Sequence, residues 1–153
     1  MPKHSEKKIL PHSARQMYDL IADVAGYPQF LPWCTAARVR GVTALADGSG
    51  AVIDVELVIS FKLFREKFGS RVTLRPADLT IDVEYLDGPF RYLNNHWVFR
   101  EGSETSCEVD FFVDFEFRSV ILQALIGVVF HEAMHRIVRA FEARAKVLYG
   151  QGA

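Results

Sequence analysis

From Ala37 to Phe117 apolar and polar residues alternate with a period of two, segment after segment, and one long 3.6-period stripe follows. This succession is the strongest constraint on the fold. Successive side chains of a strand point to opposite faces, so each alternating run predicts a strand with one dry and one wet face. Ala37, Val39 and Gly41 share a face. Ile53, Val55, Leu57, Ile59 and Phe61 oppose Asp54, Glu56 and Ser60. Phe68, Val72 and Leu74 alternate with Arg71, Thr73 and Arg75, and Leu79, Ile81, Val83 and Tyr85 with Thr80, Asp82 and Glu84. Leu93, Asn95, Trp97 and Phe99 oppose Tyr92, Asn94, His96, Val98 and Arg100. Cys107, Val109, Phe111, Val113, Phe115 and Phe117 oppose Glu108, Asp110, Asp114 and Glu116. The turns Asp47-Gly48-Ser49-Gly50, Asp87-Gly88-Pro89 and Glu101-Gly102-Ser103 are short, which means an antiparallel meander.

Ser119 opens a helix that runs to about Tyr149, before Gly150. Its stripe is Ile126, Phe130, Met134, Ile137, Phe141, Ala145 and Leu148. At ~1.5 Å per residue this helix is ~45 Å long, and only a large curved sheet covers it. Upstream, His4 to Leu10 reads as a short strand. Ser13 caps a helix to about Val24, striped by Met17, Leu20, Ile21 and Val24. The two prolines of Tyr27-Pro28-Gln29-Phe30-Leu31-Pro32-Trp33-Cys34 forbid a regular helix or central strand, and its large apolar groups close this loop over the core. The expected fold is α+β: a curved antiparallel sheet of about seven strands wrapped on a long C-terminal helix, enclosing space between them.

At 153 residues the chain fits one domain, residues 1–153. A net charge of −1 argues against broad electrostatic binding to DNA or RNA. Twelve Phe, five Tyr and two Trp supply either a bulky core or an aromatic-lined cavity. Cys34 and Cys107 make no disulfide framework and are expected as reduced thiols in the cytoplasm. Met1 to Lys8 is polar and carries no apolar signal region. The apolar run Val120 to Phe130 is shorter than the ~20 residues of a bilayer span, so a soluble or peripheral protein is expected.

His131-Glu132-Ala133-Met134-His135 matches H-E-x-x-H on a helix, the pattern of zinc peptidases. A third ligand is missing: Val138 and Phe141 stand where the extended motif needs Gly and His, and Glu142 continues the same helix. Both histidines flank the apolar stripe. No metal is expected. There is no G-x-S-x-G, no phosphate loop and no C-x-x-C, and nothing sets a His beside Cys34, so no catalytic residue is assigned.

Two stretches carry a resemblance. Tyr27-Pro28-Gln29-Phe30-Leu31-Pro32-Trp33-Cys34 resembles the Y-x-x-F-[LV]-P-W-C signature of the coenzyme Q-binding family, within the START-domain, helix-grip superfamily of polyketide cyclases and pollen-allergen-like proteins. Gly88-Pro89-Phe90, Leu93 and Trp97-Val98-Phe99 resemble that family's second motif, with Asn94-Asn95-His96 where many relatives carry a Gly. The resemblance covers nearly the whole chain. It implies a non-enzymatic protein that binds ubiquinone or a related isoprenoid quinone and aids its delivery to, or function in, the respiratory chain. Some bacterial members have instead been described as toxins that block association of ribosomal subunits, and the superfamily's polyketide cyclases supply a third alternative.

The residues favour the hydrophobic small-molecule ligand. Ile59, Phe61, Leu93, Trp97, Phe111 and Phe115 on the strands, Phe130, Met134 and Ile137 on the helix, and Phe90 of the second motif are the expected cavity wall. Phe30, Pro32 and Trp33 form its gate. Phe61-Lys62-Leu63-Phe64-Arg65 mixes aromatics and cations at a strand end, which suits peripheral contact with the inner membrane. A ribosome partner needs a basic surface, for which Arg38, Arg40, Arg65, Lys67, Arg71 and Arg75 offer a modest patch.

Overall fold

The structure, a computed structural model, describes residues 3–61, 64–103 and 105–150, with Phe61 and Phe64 by their backbone alone. Strand β1 (Lys3–Leu10) leads to helix α1 (Ala14–Ala22) and a 3₁₀ helix (Val24–Gln29). Strands β2 (Cys34–Ala44), β3 (Ala51–Phe61), β4 (Phe64–Arg75), β5 (Thr80–Asp87), β6 (Phe90–Glu101) and β7 (Cys107–Phe117) follow, and helix α2 (Val120–Tyr149) closes the order. Among the described residues the strands form one seven-stranded antiparallel sheet, β1-β7-β6-β5-β4-β3-β2, the meander that the alternation predicts. Gly88 makes the tight β5–β6 turn with φ 135°, where a Cβ would lie 2.5 Å from that of Phe68.

Helix α1 is fixed at its start by a reciprocal cap: the Ser13 hydroxyl accepts from the Gln16 amide, and the Gln16 side chain accepts from the Ser13 amide. It stops at Ala22, two residues before the expected end, because Asp23 leaves helical geometry. The expectation that the prolines exclude a helix also needs correcting. Pro28 sits inside the 3₁₀ helix, where its fixed φ fits and only one backbone bond is forgone.

Strand β2 departs most from its pattern. Two register shifts, between Cys34 and Ala36 and between Val39 and Gly41, break the expected shared face of Ala37, Val39 and Gly41, and Val39 is exposed. Each bulge exchanges the two faces, and an edge strand bulged in this way resists pairing with other chains.

Helix α2 begins at Ser119, whose hydroxyl accepts from the Leu122 amide, and spans 30 residues. Its close backbone approaches are to α1, β7 and β1. Phe130, Met134, Phe141 and Ala145 of the stripe are buried, and Ile126 and Ile137 partly so. Leu148, the last member of the expected stripe, is 47% exposed, because Tyr149 takes the inward place in that turn, against His12. By length and composition α2 is apolar enough to cross a membrane, yet it lies along the sheet.

Candidate functional site

Where α2 passes β2–β5 it stands off the sheet and leaves a cavity of about 270 Å³. Val55, Leu57 and Ile59 of β3, Phe68, Ser70 and Val72 of β4, and Ile81 and Val83 of β5 form its floor. Phe90, Leu93 and Trp97 of β6 and Phe111, Val113 and Phe115 of β7 form one side. Leu122, Ile126, Met134, Ile137 and Phe141 of α2 roof it, and Tyr27, Leu31 and Trp33 close one end. Unfilled apolar space forgoes dispersion contacts, and water finds few partners on such walls.

Trp33, Ile59, Phe90, Leu93, Trp97, Phe111, Phe115, Met134 and Ile137 of the expected ligand-binding set lie on this wall. Phe30, Pro32 and Phe130 do not. Phe30 packs edge-on against Tyr27 and Phe141 at centroid distances of 6.1 and 5.4 Å, beneath the Arg144 guanidinium. Phe130 is buried in the seam between α2 and the β1–β7 edge, 5.6 Å from Phe115 and 6.3 Å from His4. The side chains of Phe61 and Phe64, with Lys62 and Leu63, lie outside the described residues.

Trp33 has φ 66°, in the left-handed region that a bulky side chain rarely enters. Its carbonyl accepts from the Ser60 amide at 2.8 Å, which ties the loop to β3, and the Arg136 guanidinium lies 5.9 Å from its ring. Such a conformation persists where the surroundings over-determine it, and it marks functional positions more often than others. Trp97 is held by stacking on Phe111 at 4.4 Å and by its indole N–H, which donates to Asn95 Oδ1 at 3.0 Å.

The wall's polar groups are few. Tyr27 donates its hydroxyl to the Ile21 carbonyl, and burial pushes its ionisation well above the usual phenol range. Asn95 donates from Nδ2 to the Phe112 carbonyl at 2.8 Å. Glu66 and Ser70, absent from the expected wall, share the inward parity of Phe68 and Val72, a signal readable from spacing. The Ser70 hydroxyl is buried and has no hydrogen-bond partner among the described residues. An unmade hydrogen bond of this kind costs about 1–3 kcal/mol. Among these residues no acid–base pair is hydrogen-bonded across the cavity.

Of the H-E-x-x-H segment, Ala133 and Met134 face the cavity, whereas His131, Glu132 and His135 are not on its wall. His131 and His135 are exposed, and β1 brings a third ring, His4, to within 6.5 and 6.1 Å of theirs. His4 lies 127 residues before His131, a separation that motif spacing does not register. His4 nevertheless hydrogen-bonds Glu6 at 2.9 Å, and among the described residues no three His, Cys, Asp or Glu groups are placed to hold a metal ion. Half of the expected basic patch is neutralised: Arg40 pairs with Glu56 and Asp87, Arg71 with Asp54, and Arg75 with Asp82.

Residues 10–142 match the family described as polyketide cyclase / dehydrase and lipid transport. A Rickettsia prowazekii (strain Madrid E) protein named ribosome association toxin RatA is 43% identical over 142 residues, covering 91% of this chain and 92% of its own. The Xenopus laevis mitochondrial coenzyme Q-binding protein COQ10 homolog B is 34% identical over 157 residues, covering 97% of this chain and 60% of its own. These names describe a toxin and a binding protein, not enzymes. A START superfamily protein from Mycobacterium smegmatis shares the fold at TM-score 0.78 and 18% identity, covering 95% of this chain and 98% of its own. With residues 10–142 matching its model, the chain belongs to the polyketide cyclase / dehydrase and lipid transport family.

Proposed function

We propose that this protein binds ubiquinone or a related isoprenoid lipid in the cavity and supports its delivery to, or function in, the respiratory chain. The observation that carries the reading is the wall itself: aliphatic and aromatic side chains nearly throughout, with no acid–base pair joined across it among the described residues. About 270 Å³ is near the lower end of small-molecule pockets, ~300–1,000 Å³, and suits a quinone ring with its first isoprene units. The kinship with a coenzyme Q-binding protein supports the same ligand. Val120, Ile121 and Val128 expose apolar groups on the outer face of α2, whose inner face roofs the cavity, and this supports peripheral contact with a membrane during lipid exchange.

The test is titration of a Trp33→Phe variant with a short-tail ubiquinone. Quinone rings quench nearby indole emission, and Trp97 is on the wall. Saturable quenching of the remaining Trp97 emission is expected. Quenching linear in quinone, as for random collisions, contradicts the reading.

A second reading, association with ribosomes, is favoured by the 43% identity to a protein named as a ribosome association toxin. Arg38, Arg65 and Lys67 remain without an ion pair among the described residues and would carry the contact to phosphate. Co-sedimentation with ribosomal subunits that weakens steeply with salt and is lost on charge reversal at these three positions supports it.

A further inference from the structure

We infer that Ser70 is the polar anchor of the cavity: its hydroxyl donates a hydrogen bond to a neutral carbonyl oxygen on the head of the bound lipid. This rests on the lipid-binding reading and adds which end of the lipid enters and what chemistry receives it. Ser70 is 1% exposed, and its hydroxyl has no partner among the described residues. It lies on the wall between Phe68 and Val72 on its own strand, opposite Val55 on β3. The β4–β5 pairing shifts register at this point: Gly69 faces Asp87 while Ser70 faces Tyr85. Such bulges re-aim side chains and gather near binding sites.

The neighbouring polar groups are engaged elsewhere. Asn95 bonds Phe112 and Trp97, and Tyr27 bonds Ile21. Glu66 lies four residues along β4, ~13 Å away at strand spacing. Among the described residues no Lys or Arg lines the cavity, so a carboxylate head would meet no counter-charge from them. A pure hydrocarbon would leave the hydroxyl unmet. A neutral carbonyl, as on a quinone ring, satisfies it without bringing charge into the cavity. Val55, Phe68, Val72 and Ile81 around Ser70 are buried, whereas Trp33, Ile59, Glu66 and Ile126 are partly exposed. The head therefore enters first, and the tail runs toward the partly exposed end.

The experiment displaces an apolar fluorescent dye from the cavity with two probes: a ubiquinone bearing two isoprene units, and farnesene, a hydrocarbon of similar tail chemistry with no oxygen. Ser70→Ala is expected to bind the quinone roughly tenfold more weakly, with farnesene unchanged, and Ser70→Thr to keep the parent's quinone affinity. Without ligand, Ser70→Ala should melt at or above the parent's temperature, because an unmet hydroxyl has been removed. Equal quinone affinity in Ser70→Ala and parent overturns the anchor and leaves the lipid reading standing. An equal loss for both probes also overturns it, since the hydroxyl would then only shape the cavity. If neither probe displaces dye from the parent, both readings fall.

Discussion

Strands β7 and β3 are each eleven residues long and carry the same alternation, yet their inward faces differ. On β7, Cys107, Val109, Phe111, Val113 and Phe115 are all buried. On β3, Val55 is buried while Ile53, Leu57 and Ile59 remain partly exposed. Helix α2 accounts for the difference. It lies close against β7 and β1 and stands away from β3 and β4, so the β1–β7 edge is the more solid side, with a pocket of about 30 Å³, and the hollow side is the larger cavity over β3 and β4 that Phe111, Val113 and Phe115 of β7 border. Alternation fixes which face is dry; the helix path decides whether that face meets side chains or space.

The largest effect expected from this difference is in stability. Phe130→Ala, in the solid seam, should cost about 3–5 kcal/mol in denaturant unfolding. Ile59→Ala, facing space that already exists, should cost about 1 kcal/mol, below the range for fully packed aliphatic residues. Equal losses would erase the distinction between the two sides.

A second contrast is alkaline. Cys107, on the solid side, is pushed up to about 11 by burial, from 9.0. The neutral thiol is the form the fold favours, so its contribution is complete below pH 9 and is lost as pH rises through about 11. The loss should be no more than about 3 kcal/mol and absent in Cys107→Ala. Burial shifts Cys34, at the start of β2, in the same direction. Alkaline unfolding that is identical in Cys107→Ala and the parent would show that the thiol is not responsible.

The gate splits in the same way. Trp33 is on the cavity wall and Phe30 is not. Trp33→Ala should weaken quinone binding about tenfold with little change in melting temperature. Phe30→Ala should lower the melting temperature through its lost contacts with Tyr27 and Phe141, with less effect on affinity. The reverse pattern would move the gate back to Phe30.

Much of the solid side was legible in the sequence. The even alternation of β7, the Ser119 cap and the 3.6-period stripe are local signals with one structural solution each. The hollow side was legible only by parity, because a period of two records a face and not its contents. Parity puts Leu93, Trp97 and Ile59 on the wall, where the structure has them, but Phe130 belongs to the seam, and the spacing that marks Phe68 and Val72 marks Ser70 equally. The β2 bulges and the left-handed Trp33 depend on tertiary packing that no local pattern encodes. His4 joins the His131–His135 pair through strand pairing across most of the chain, which motif spacing cannot register.

The smallest effect concerns that trio. Chelator should leave the melting temperature unchanged, and protein purified without it should carry far less than one zinc per chain. Stoichiometric zinc lost on His4→Ala or His131→Ala would contradict this.

The hollow side is tested most directly by mass spectrometry of lipid extracted from the purified protein. Co-purifying polyprenyl quinone approaching one molecule per chain, and reduced in a variant that fills the cavity (Val55→Phe), is the expected result. A folded parent that carries no isoprenoid lipid, and takes up none from quinone-loaded vesicles, would contradict the account.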